Sequence, residues 1–190
     1  MAQPHGTRPC FLLDLAPELR NMIYELILCD SSTALSPDSK PRVLIDKDTI
    51  TQPPLLQTCL QIRAEASGIY YFGNRFDVVC LGFDPTDMIL LTRQAKDITI
   101  SVKVHDTQTA PKWANVFKWL QAYYNNEVGR LEEVWDAHCE AQQWNSVAKM
   151  FDMVDMLKNR QMPWREMEKV LEVTKDIAQL SVDWEWEEED

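Results

Sequence analysis

This chain of 190 residues is short of glycine, histidine, basic residues and long apolar runs, and each shortage excludes something. Its five glycines stand alone along the chain, so no glycine-rich loop can cradle a phosphate. The three histidines, His5, His105 and His138, are isolated. His138 and Cys139 are adjacent instead of spaced like zinc ligands, and no second Cys/His pair completes a metal site. No serine or cysteine sits in a nucleophile-elbow context. The apolar stretches stop at about four residues, as in Leu26 to Cys29 or Met88 to Leu91, far short of the roughly 20 that cross a bilayer. Residues 1–10 hold two prolines and a glycine but no apolar core, so a signal peptide is not expected. Five scattered cysteines do not make a disulfide framework, and Cys29, Cys59 and Cys80 lie in apolar contexts. A reducing compartment, cytoplasmic or nuclear, is the natural expectation.

Bases are outnumbered, 19 against 30 acids. Six of those acids fall in Asp183–Asp190, a segment without a base, with Trp184 and Trp186 between them. Such a tail reads as a solvated end, with a docking motif as the alternative. The rest of the chain is still acidic, which disfavours nucleic acid as a partner. Nothing points to a membrane, a cofactor or a metal, and without an acid/base constellation the expectation is that the chain is not an enzyme.

What the chain does have is helical periodicity. Pro17 suits a first helical position and Glu18 complements the dipole. Leu19, Met22, Ile23, Leu26 and Ile27 then form one apolar stripe, expected to face the core, with Arg20, Asn21 and Glu25 off it. Tyr24 and Leu28 also fall off it and are expected to face a partner. A second helix is expected from Pro53 or Pro54, with Leu55, Cys59, Ile62, Ala66 and Ile69 on one face. Residues 30–52 read as a long loop holding a short β-like piece at Val43 to Ile45.

Downstream, Arg75 to Leu81 reads as a strand. Asp84, Pro85 and Asp87 open a helix that runs to about Gln94. Ile98, Ile100, Val102 and Val104 alternate with polar residues as a half-buried strand does. Pro111 begins a helix with Trp113, Val116, Phe117, Leu120 and Tyr124 on its apolar face, and Leu131 to His138 is a candidate third strand. Val147, Met150, Phe151, Val154 and Leu157 give a further helix, broken near Pro163. Trp164, Met167, Leu171, Thr174 and Ile177 give the last one. The methionines among these read as ordinary core, with an adaptable binding groove as the alternative. Trp113, Trp119, Trp144 and Trp164 read as core residues whose N–H finds a partner.

Two segments near the start carry a more specific signal. The first holds Leu15, Pro17, Glu18, Leu19, Arg20, Asn21, Ile23, Tyr24 and Glu25. The second holds Leu55, Leu56, Thr58, Cys59, Ile62, Arg63, Glu65 and Ala66, followed by Tyr70, Tyr71, Asn74 and Phe76. Together, over roughly residues 11–79, they resemble the F-box-like domain of fungal proteins. Ala16 stands where that family commonly has proline and Leu60 where it has arginine, and the spacing between the segments is longer than in F-boxes that join ubiquitin ligases. The resemblance implies a protein–protein interaction protein, an F-box-like substrate adaptor of a cullin-RING ubiquitin ligase that grips a Skp-family adaptor and presents an unknown target protein. A stand-alone fungal interaction module without a ubiquitin role is the alternative. On this reading the partner-binding residues are Leu15, Pro17, Glu18, Tyr24 and Leu28. The expected fold is α+β, with N-terminal F-box-like helices packed on a small β-sheet and C-terminal helices. Its expected divisions are a disordered 1–10, an F-box-like 11–80, an α+β and helical 81–180, and a disordered acidic 181–190.

Overall fold

The computed structural model describes residues 11–30, 32, 40–46, 49–96, 98, 100–105, 112–131 and 139–181. Expectations for residues 1–10, for a strand over 132–138 with His138, for Pro111 and for residues 182–190 lie outside them. The described elements are α1 (Pro17–Leu28), β1 (Arg42–Ile45), α2 (Leu60–Gly73), β2 (Arg75–Val79), α3 (Thr86–Ala95), β3 (Ser101–His105), α4 (Trp113–Tyr124), α5 (Cys139–Asn159) and α6 (Trp164–Ser181). The class is α+β, and the three strands form one parallel sheet in the order β1-β2-β3. Parallel neighbours cannot be joined by a hairpin, and helical crossovers through α2 and α3 supply the return paths.

The chain divides into two compact units that interleave in sequence. The first takes residues 1–43, 52–75 and 97–101 and therefore holds α1 and α2. The second takes residues 44–51, 76–96 and 102–190, with α3 to α6 and nearly all of β2 and β3.

In the first unit, Pro54–Gln57 forms a 3-10 turn where α2 was expected to begin. The helix itself starts later because Cys59 caps it, its Sγ accepting from the Ile62 N–H at 3.5 Å. Ile62 and Ala66 are buried, as their spacing predicts.

In the second unit, Asp84 prepares α3 as expected, although the helix opens two residues later. Its Oδ1 accepts from the Thr86 N–H at 3.0 Å and from the Thr86 hydroxyl. Just before it, Gly82 and Phe83 both take left-handed backbone, at φ 54° and 63°. Glycine suits such a position, and it leaves the Gly82 carbonyl to accept from Asn115 Nδ2 at 3.1 Å and from the Lys112 N–H at 3.3 Å. The bulky Phe83 is held there by burial and by the Trp144 ring at 5.3 Å.

Helices α4, α5 and α6 carry the main core of this unit. Val116, Trp119, Leu120, Val147, Met150, Phe151, Val154, Met167 and Leu171 are all buried. Phe151 meets Trp119 and Tyr123 edge-on, at 5.7 and 5.2 Å between ring centres. The indole N–H of Trp119 donates to the Gly129 carbonyl at 3.1 Å, and that of Trp113 to Glu172 at 3.0 Å, which meets the need of a packed tryptophan. Met150 and Met167 are core residues, whereas Met156 is exposed, as is Ile177 at the end of the α6 face expected to be covered.

Candidate functional site

The site with the clearest chemistry lies within the first unit, where α1 packs on α2. The buried positions of α1 are Arg20, Tyr24 and Leu28, spaced by four, and not the expected stripe. Arg20 makes a two-pronged ion pair with Glu65 of α2, Nε to Oε2 and Nη2 to Oε1, each at 2.9 Å. Its Nη1 donates to the Leu15 carbonyl at 2.6 Å, tying down the segment that enters the helix. Tyr24 donates its hydroxyl proton to Glu65 Oε2 at 3.0 Å, and Gln61 donates to Oε1 at 3.0 Å. With these donors, the Arg20 guanidinium first among them, the Glu65 carboxyl is held down at about 2. Burial pushes the Tyr24 hydroxyl up, and the neighbouring Glu65 adds to it.

The second tie is Asn74, which has no solvent exposure. Its Nδ2 donates to the Leu28 carbonyl at 2.9 Å and to the Tyr70 carbonyl at 2.8 Å, closing the ends of both helices with one amide. Beside it, Gly73 is required by contact, because a Cβ there would stand 2.7 Å from Cys29 Sγ. Elsewhere in the signature, Arg63 donates to the Leu56 carbonyl at 2.7 Å, and Tyr71 accepts from Gln52 at 2.9 Å. Much of what made the two segments recognisable is therefore internal bonding.

Of the expected partner-binding residues, Leu15, Pro17 and Glu18 are exposed, whereas Tyr24 and Leu28 are 0% and 5% exposed and cannot touch a partner in this arrangement. The expected core stripe is turned outward in the same movement. Leu19, Met22, Leu26 and Ile27 are exposed, with Leu26 at 83%, and Ile23 is half-buried. The physical reason is Glu65. A carboxylate on the facing helix lets the charged Arg20 sit in the packed face with its hydrogen bonds satisfied, which a reading of α1 alone does not reveal.

The result is an exposed apolar line on α1, Leu19, Met22 and Leu26, at steps of three and four, with Leu15 exposed just ahead of the helix. It borders a surface groove of about 760 Å³. Met22, Glu25, Leu26 and Cys29 form one wall, and Gly68, Ile69, Phe72 and Gly73 form the other. Gly68 keeps the α2 wall low, with no atom within 4 Å of where a Cβ would stand. At the Phe72 end, the Lys40 ammonium sits 4.3 Å above the ring and donates to the Phe72 carbonyl at 2.7 Å. The Cys29 thiol, which donates to the Ile69 carbonyl at 3.6 Å, is pushed up by burial and suits packing better than reaction.

A second cleft, of about 520 Å³, lies within the other unit and gathers Asp46, Asp84, Asp87, Lys112 and Asn115. Burial pushes the Asp84 carboxyl up, but its bonds from Thr86 and the nearby Lys118 outweigh this and leave it below its ordinary value. No group of three or more His, Cys, Asp or Glu among the described residues could hold a metal ion. No helix among them is long and apolar enough to cross a membrane. Comparison with protein-family models, with curated proteins and with solved structures found no match to this chain.

Proposed function

We propose that this protein is a protein–protein interaction module whose outward face of α1, with the adjoining α1–α2 groove, docks a separate protein chain. The observation that carries the reading is the exposure of Leu19, Met22 and Leu26 along one line of a helix anchored from behind by the Arg20–Glu65 pair, with Leu15 exposed just ahead of it. A row of large apolar side chains bordering a groove is the form in which helix-and-groove interfaces store their binding energy. The resemblance to fungal F-box-like domains makes a Skp-family adaptor the first partner to test, and substrate presentation to a cullin-RING ubiquitin ligase the corresponding role. Glu18, at the exposed start of α1, borders the same face, whereas Pro17, also exposed, is three residues before Arg20 and lies on the opposite side of the helix. No step of this function calls on catalysis.

A specific observation favours the second reading, a stand-alone interaction module without a ubiquitin role. Arg20, Tyr24 and Glu65, among the most distinctive residues of the signature, bond to one another inside the unit, and Asn74 Nδ2 donates to the Leu28 and Tyr70 carbonyls, so that their presence supports the helix pairing whether or not an adaptor binds. Titration of the purified chain with a purified fungal Skp-family adaptor separates the two. The adaptor reading expects micromolar or tighter binding that Leu19→Ser/Leu26→Ser abolishes without moving the unfolding midpoint. No binding by the wild-type chain at tens of micromolar leaves the stand-alone module.

A further inference from the structure

The outward face of α1 has a charge pattern as definite as its apolar one. From Phe11 to Leu28 the exposed charged positions are Asp14, Glu18 and Glu25, and no exposed base lies among them. The sole base of that segment, Arg20, is withdrawn into its bonds with Glu65 and the Leu15 carbonyl. Glu18 and Glu25 are seven residues apart and so line the same edge of the stripe formed by Leu19, Met22 and Leu26. At the Phe72 end of the groove the Lys40 ammonium is held over the ring.

We infer that the surface docking on α1 is a protein surface with an apolar centre and a basic rim, an inference that rests on the docking reading above. Opposite charges at a rim contribute modestly to affinity but strongly to encounter rate and partner choice, and like charges there reject the wrong partner. An acidic edge beside exposed leucines also turns the face away from anionic bilayers, which such a row of apolar side chains could otherwise enter.

The test uses the full chain and two labelled amphipathic helical peptides that share a leucine stripe. One carries lysines beside the stripe and the other carries glutamates, and binding is read by fluorescence anisotropy at two salt concentrations. The expected result is a preference of about tenfold or more for the lysine peptide, weakening as salt rises. Glu18→Lys/Glu25→Lys should remove that preference, while Glu166→Lys/Glu168→Lys on α6, an equal change of net charge, should keep it. Unfolding midpoints are measured for all variants, and Glu18→Gln/Glu25→Gln replaces the reversal if the latter does not fold. Equal loss from the α1 and α6 pairs, equal binding of the two peptides, or no binding of either overturns the inference. If Leu19→Ser/Leu26→Ser abolishes binding of both peptides but no preference exists between them, the docking reading stands and the charge inference fails. If the lysine peptide still binds that variant, the docking reading is what fails.

Discussion

Helices α1 and α6 make an instructive pair. In α6, Met167 and Leu171 are buried while Arg165, Glu166 and Lys169 face water, the arrangement expected of an amphipathic helix. In α1, an arginine and a tyrosine are buried while leucines and a methionine face water. Both helices pack securely, but by different means. Helix α6 meets apolar partners on α5, so area removed from water holds it. Helix α1 meets Glu65, and a charge-assisted, part-buried cluster of hydrogen bonds orients it. The lesson is that the buried face of a helix is chosen jointly with the helix opposite, and that one carboxylate can outvote five apolar side chains. What this leaves unpartnered on α1 is the material of the candidate docking face.

The sharpest break of the comparison should come from the apolar side. Phe151→Ala removes a fully buried ring packed on Trp119 and Tyr123, and should destabilise the protein by about 3–5 kcal/mol in denaturant unfolding. A loss under about 1 kcal/mol would mean that the α4–α5 packing is wrong. Next comes the close approach of α2 to Cys29. Gly73→Ala places a Cβ against Sγ and should cost about 1–3 kcal/mol by overpacking. Adding Cys29→Ala should recover part of that loss, and a double variant no better than the single one would refute the contact. Smaller still is Tyr24→Phe, which keeps the ring but takes one donor from Glu65 and should cost about 1 kcal/mol.

The smallest expected effect concerns pH. The Glu65 carboxyl is held below its ordinary value, at about 2. Its contribution to stability is therefore fully present above the unfolded carboxyl range and is lost as pH falls from about 4.5 towards 2. The pair is near solvent, so the loss should be modest and reduced by salt. Glu65→Gln should flatten that part of the acid-unfolding curve, and an unchanged slope would deny the ion pair its role.

Much of the architecture was legible in residue order alone. The helical steps from Val147 to Val154 and the break before Trp164 placed α5 and α6, because each buries its apolar face on neighbours equally apolar, and the alternation from Ile98 to Val104 placed β3, which begins only at Ser101 and keeps Val102 and Val104 half-buried. Asp84 announced α3 through its own side chain. In α1 the same reasoning put the wrong face inward. It treated Arg20 as a surface residue, and the fact that reverses this lies 45 residues away in Glu65. The signature that did pair those segments was read as partner-binding, and that misassigned Tyr24 and Leu28. Trp119 is buried with its N–H bonded, as expected, although no spacing in the sequence names the Gly129 carbonyl as its partner. Long-range polar partners of this kind leave no periodic trace.

The most direct test of the account compares Leu26→Ala with Leu28→Ala by urea unfolding. The two positions are neighbours on one helix and undergo the same substitution, yet the orientation of α1 assigns them opposite outcomes. Leu28, 5% exposed, should lose about 2–5 kcal/mol, whereas Leu26, 83% exposed, should change by less than about 0.5 kcal/mol. A large loss at Leu26 with little at Leu28 would contradict the account, because α1 would then bury its leucine stripe and have no apolar face to offer a partner.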